Sequence, residues 1–181
     1  DVTSKHDYER SKWIARIFQD PLKGTAPELT LLDNFRLASL RTQRKGFHIG
    51  ITKKFREEIR ERISILNLGL ENKLDTLVGK LSGGQRQAIT LLMASLDQPK
   101  IILLDEPTAA LDPRSSEIVI SLADKTIREQ QLTAILVTHN LRHAMEYGSR
   151  LIMMDRGKII RDYSLSEKKS IALHELQKLF F

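Results

Sequence analysis

Apolar positions in this chain follow two rhythms. In the first, Phe55, Ile59, Ile63 and Leu66 recur every three or four residues between Thr52 and Leu66, while Glu57, Glu58 and Arg60 fall elsewhere. That spacing predicts an amphipathic helix with one packing face. Asp33 to Thr42 reads as a shorter helix beginning near an acidic cap. Arg86 to Leu96 is so uniformly apolar after Gln87 that it reads as a core helix. Pro113 to about Glu129 is a further helix, with Asp112 as N-cap and Pro113 in the first turn, where a missing N–H costs nothing. Ser166 to Phe181 is expected to close the chain as one helix with Ala172, Leu176, Leu179 and Phe180 on one side.

The second rhythm is the short unbroken apolar run. Trp13 to Phe18 carries a single charge and is closed by Asp20-Pro21, which predicts a strand with Trp13 and Phe18 in the core. Ile101 to Leu104 has no polar alternation, as expected of a strand covered on both faces of a parallel sheet. Leu132 to Val137 repeats the pattern after the helix, so strand, helix and strand make a right-handed parallel crossover. Arg150 to Met154 and Lys158 to Asp162 flank Arg156-Gly157 as a terminal hairpin, and the Pro, Gly and Thr content of residues 21–30 predicts a loop. The second half is therefore α/β, residues 33–96 are mostly helix, and two subdomains are expected.

Composition narrows the classes. At 181 residues, with 41% hydrophobic and 29% charged positions, the chain is one soluble globular domain or a piece of one. The absence of cysteine excludes disulfides, thiolate metal sites and cysteine nucleophiles. No apolar run approaches the roughly 20 residues of a membrane span, so a membrane role would be peripheral. The net charge of +6 suits either a mildly basic surface or contact with nucleic acid, anionic headgroups or a phosphorylated ligand. Arg41, Arg44, Lys45, Lys53, Lys54 and Arg56 form a local basic cluster, read as a solvated surface or a face for lipid or a partner. Asp1-Val2-Thr3 looks like the middle of a domain, so a fragment is expected.

Two stretches carry chemistry. Ser82-Gly83-Gly84-Gln85 stands directly before the core helix, where free N–H groups and the positive end of the helix dipole favour a phosphate. Asp105-Glu106 ends the run from Ile101, and two carboxylates at the end of a buried strand call for a positive partner such as a divalent metal. Strand neighbours project to opposite sides, so the two acids should differ in task. Asp105 suits a metal and its waters, and Glu106 suits orienting or deprotonating an attacking water. A glycine turn before a helix and a solvated acidic turn after a strand are the plainer readings of each stretch alone. His139 and His143 are four apart, but no third ligand stands nearby to make a zinc site.

In their order along the chain these segments resemble the ATP-binding subunit of ABC transporters. LSGGQ at residues 81–85 resembles the family's signature motif, IILLDE at 101–106 its Walker B segment with catalytic glutamate, and AALD at 109–112 its D-loop. Thr138-His139 resembles the switch histidine, and IFQDP at 17–21 the Q-loop. The resemblance implies an α/β fold: an ABC-type P-loop NTPase core with a parallel sheet plus a helical subdomain. Residues 1–181 would form a partial ATPase domain, with 20–96 the mainly helical signature subdomain, 1–19 and 97–165 parts of the RecA-like core, and 166–181 a C-terminal helix. It further implies ATP and Mg²⁺ as ligands, Asp105 and Gln19 at the metal, and Glu106 and His139 in catalysis. Ser82, Gly83, Gly84 and Gln85 would grip the γ-phosphate across a homodimer, and Asp112 would communicate between the two copies.

The implied partners are a second ATP-binding subunit, transmembrane permease subunits and a solute-binding protein, at the cytoplasmic face of the plasma (inner) membrane, with no nucleic acid expected. Prokaryotic importers of small organic solutes, amino acids among them, are the nearest resemblance. The competing class is a soluble ABC-type ATPase acting on nucleic acid or ribosomes. Only about 60 residues separate Gln19 from Leu81, without sustained heptads, which disfavours the members of that class built on long coiled coils. One departure is large: the pattern G-x-x-x-x-G-K-[S/T] occurs nowhere in these residues. The N-terminal β-subdomain and P-loop are expected to be missing, and such a piece should bind ATP weakly and be inactive by itself.

Overall fold

Strand β1 (Ile14–Ile17) runs parallel to β2 (Ile101–Asp105), with Ile14 opposite Ile101 and Ile17 opposite Leu104. With β3 (Thr133–Val137) they form a three-stranded sheet in the order β1-β2-β3. The computed structural model describes residues 1–41 and 50–180. The expected helix end at Thr42, and Arg44 and Lys45 of the basic cluster, lie outside the described residues, as do the Leu179 and Phe180 side chains.

Alternation decides which strand side chains are covered. Ala15, Ile17, Ile102 and Leu104 are buried, while Arg16 is exposed and Ile101, Leu103 and Asp105 are half-buried. The expectation that residues 101–104 are covered on both faces is therefore corrected, because one face is closed and the other carries Arg16 and Asp105. Trp13 and Phe18 are likewise half-buried rather than core. Each lies under a cation, Lys5 at 5.6 Å from the Trp13 ring and Arg16 at 4.7 Å from the Phe18 ring.

A one-turn helix, α1 (Asp7–Arg10), precedes β1, and the helical region follows it: α2 (Leu31–Ser39), α3 (Lys53–Ser64) and α4 (Gly83–Ser95). Helix α2 begins two residues before the acidic position expected to open it. Thr30 is its N-cap, accepting from the Asp33 N–H at 3.1 Å, and the Asp33 carboxylate accepts back from the Thr30 N–H in a capping box. Leu31, Phe35, Ile59, Ile63, Ala88 and Ile89 are buried together and join the three helices in one core. Helix α5 (Pro113–Glu129) starts at Asp112 as predicted and adds Val119 to that cluster.

The chain divides into two compact units, residues 1–135 and 136–181, with the division inside β3. The second unit contains α6 (Leu141–Glu146), the antiparallel hairpin β4 (Leu151–Asp155) and β5 (Lys158–Tyr163), α7 (Leu165–Ser170) and α8 (Leu173–Phe180). The hairpin agrees with the sequence reading, whereas the single closing helix over 166–181 is corrected to two. Ser164 and Glu167 form a capping box that starts α7, and Ile171 is extended, which ends it. The Glu175 carboxylate then accepts from the Ala172 N–H at 3.3 Å at the start of α8. Lys168 is buried and donates to the carbonyls of Tyr147 and Gly148 just after α6, and burial lowers its pKa.

Candidate functional site

Parallel register sets the charged pair at the end of β2. Arg16 stands opposite Leu103, so it reaches diagonally to Asp105 on the same open face, and its Nη2 donates to Asp105 Oδ2 at 2.7 Å. Both side chains are about half exposed, so the pair organises the site more than it stabilises the fold. The Arg16 guanidinium also lies over the Phe18 ring. Beyond β1 the chain turns, and Asp20 Oδ1 accepts from the Leu22 N–H at 2.9 Å.

The turn leaves Gln19 exposed beside an open cleft of about 330 Å³, which it lines together with Arg16, Phe18, Asp20, Lys23, Asp105 and Ala110. The two residues expected at a metal, Gln19 and Asp105, thus share one cleft. Glu106 follows with φ at +46°, in the left-handed region that a side chain enters at a cost of about 1–3 kcal/mol. The chain therefore turns sharply at the acid, and the Glu106 carbonyl accepts from the Ala109 N–H at 3.2 Å.

A second constellation forms where α4 and α5 begin. Ser82 is the N-cap of α4, its Oγ accepting from the Gln85 N–H at 3.2 Å while Gln85 Oε1 accepts from the Ser82 N–H at 3.1 Å. The N–H groups of Gly83 and Gly84 fall in the first turn, where a helix offers them no partner. Gly84 is buried against α5: a Cβ there would lie 2.7 Å from both Cβ and Oγ of Ser115. A Cβ at Gly83 would lie 3.3 Å from Leu111. Asp112 is thereby brought beside the turn, capping α5 by accepting from the Ser115 N–H at 3.1 Å. The Ser115 hydroxyl and N–H hold its carboxyl below the usual carboxylate range.

His139 belongs to the second unit, exposed in the loop between β3 and α6. Helix α6 starts only at Leu141, capped by Asn140, which accepts from the Arg142 and His143 N–H groups. His139 and His143 therefore do not share a helix face, and His143 is buried. Among the described residues no three His, Asp or Glu side chains are grouped to hold a metal.

Two residues near the cleft escaped the sequence reading. Arg16 could have been found from alternation in Trp13 to Phe18, which places it on the same face as Phe18. Gln87, fully buried in α4, donates from Nε2 to the Phe18 carbonyl at 3.0 Å, and its only sequence signal is one amide at the head of an apolar run.

The family model described as ABC transporter matches residues 1–109. A tyrosine transport ATP-binding protein of Clostridioides difficile is 41% identical over 182 residues, covering 99% of this chain and 71% of that protein. A putative hemin import ATP-binding protein of Staphylococcus aureus is 39% identical over 115 residues, covering 63% of this chain and 51% of that protein. The chain thus spans about half the length of the second relative. Among solved structures, a dimeric ATP-binding cassette in a post-hydrolysis state, bound to ADP and Pi, superposes with a TM-score of 0.72 at 29% identity, over 90% of this chain and 68% of that one. CbiO1 from Clostridium perfringens, part of the transporter complex cbiONQ, shares the fold with a TM-score of 0.73 at 23% identity, over 99% of this chain and 67% of that one.

Proposed function

The chain belongs to the ATP-binding subunits of ABC transporters, and from that premise we propose that the full-length protein hydrolyses ATP between two copies of itself. Hydrolysis would drive uptake of a small organic solute, of the amino-acid class, through a membrane permease served by a solute-binding protein. The tyrosine transport protein among the relatives supports that solute class. Among the described residues no helix is long and apolar enough to cross a membrane, which is in keeping with a subunit seated on a permease at the cytoplasmic face.

One observation carries the reading. Asp105 and Gln19 share a cleft that Ser82, Gly83, Gly84 and Gln85 do not line. A phosphate held at the cleft would meet Arg16 and Lys23 of the same copy but not the Ser82 turn, so the donors of that turn would come from another copy, whose α4 start presents backbone N–H groups and the positive helix end. One carboxylate and one amide oxygen at an open cleft fit Mg²⁺, which retains most of its waters and takes further ligands from phosphates. Asp105 and Gln19 would hold that ion, which supplies charge neutralisation for the β- and γ-phosphates.

The remaining roles fall to this chain's own groups. Glu106 takes the proton from the attacking water, and its left-handed backbone turns it away from the line of β2. His139 holds the γ-phosphate together with that water. Asp112, fixed by its cap to the α5 start beside the Ser82 turn, reports across the dimer. Residues 1–181 carry no phosphate loop of the G-x-x-x-x-G-K-[S/T] form, so by themselves they bind ATP weakly and do not turn it over.

In the full-length protein Glu106→Gln should leave ATP binding intact and slow steady-state hydrolysis about 100-fold or more, the scale of a lost general base. Turnover near the wild-type rate, with binding checked by calorimetry, would remove Glu106 from that role.

A further inference from the structure

Gln87 is polar and wholly buried, with only half of its amide used. Nε2 donates to the Phe18 carbonyl, while Oε1 is buried without a hydrogen-bond partner. A methionine of similar length would fill that space without stranding an oxygen, at the cost of the donor to the Phe18 carbonyl. The bond gained and the oxygen stranded offset one another, so net stability gives little reason for an amide here. What the amide supplies is a directional link across 69 residues of sequence, from the helix that opens at Ser82 to the carbonyl immediately before Gln19.

A second contact lies one turn further along the same helix face. Gly24 approaches Thr90 so closely that a Cβ on it would meet Thr90 Cγ2 at 2.6 Å. The segment from Phe18 to Gly24, which contributes Gln19, Asp20 and Lys23 to the cleft, is thus seated on α4 at both of its ends. A shift of α4 as a rigid body carries that segment with it, and Gln87 is its polar fastening at the Gln19 end.

We infer that Gln87 is a positioning residue that sets Gln19 at the Asp105 cleft according to the position of α4, so that engagement of the Ser82 turn is felt at the metal side of the same copy. This rests on the proposed ATPase function, and it extends that function from a list of contacts to a path between them.

The test compares four forms of the full-length protein: wild type, Gln87→Met, Gln19→Ala and the double variant. Gln87→Met should melt close to wild type, because the lost bond to the Phe18 carbonyl is offset by removal of the stranded oxygen. Its Gln19 and Asp20 amides should exchange hydrogen about tenfold faster without nucleotide, because the fastening of the segment is lost. The Mg²⁺ concentration for half-maximal hydrolysis should rise about threefold in Gln87→Met, with no further rise when that change is added to Gln19→Ala, since the two act as one unit. A lower melting temperature with unchanged exchange at residues 19 and 20 would reduce Gln87 to a packing residue and overturn the inference. Additive Mg²⁺ effects would overturn it too. Wild-type protein without Mg²⁺-dependent hydrolysis would remove the functional reading and the inference together, whereas normal wild-type activity with additive variants removes the inference alone.

Discussion

Helices α2 to α4 close their apolar positions against one another, whereas the hairpin β4–β5 leaves most of its own open. Leu31, Phe35, Ile63 and Ile89 are fully buried, but Met154 is 62% and Ile159 60% exposed. Geometry accounts for the difference. A helix gathers its apolar residues into one stripe, and three such stripes can meet in a single cluster. A two-stranded ribbon has two faces and can turn only one of them inward, here the face that carries the buried Met153. The helical region is therefore stabilised by side-chain burial. The hairpin rests chiefly on its backbone ladder, to which the largely exposed Arg150 to Asp162 pair, in which Arg150 Nε donates at 2.8 Å, adds little.

This contrast can be broken by substitution. The largest effect is expected for Phe35→Ala, which opens a cavity where three helices meet and should cost about 3–5 kcal/mol in urea unfolding followed by circular dichroism. A loss below about 1 kcal/mol there would show that the cluster relaxes and is not the centre of stability. Thr30→Ala removes the α2 cap and should cost about 1 kcal/mol by the same measurement. Ile159→Thr, on the open side of the hairpin, should change stability by no more than about 0.5 kcal/mol. A larger loss would mean that this face is covered in the protein tested, and the contrast would then be one of partner rather than of architecture.

The helical region was also the more legible in the sequence. Helices α3, α4 and α5 follow from apolar spacing and from caps that local residues supply. The start of α2 is legible in Thr30 and Asp33, three residues apart, as a capping box, whereas the acid alone points to a start two residues too late. The break between α7 and α8 turns on Ile171, an apolar residue that suits the helical period and yet adopts an extended backbone. At the site, Asp105 and Glu106 announce themselves as acids closing an apolar run. Arg16 does not, because its role depends on which residue of β2 lies beside it, 89 positions away. Gln87 is hidden for the same reason: its partner is a backbone carbonyl, which leaves no mark in the sequence.

The tight seat of Gly84 has a consequence for interpreting damage to the signature turn. Even a methyl group at residue 84 acts first as a wedge, striking the β-carbon of Ser115 before it could touch any nucleotide. Loss of activity on Gly84→Ala would thus register a splaying of two neighbouring helix starts, and with it a displaced Asp112, rather than a missing phosphate ligand.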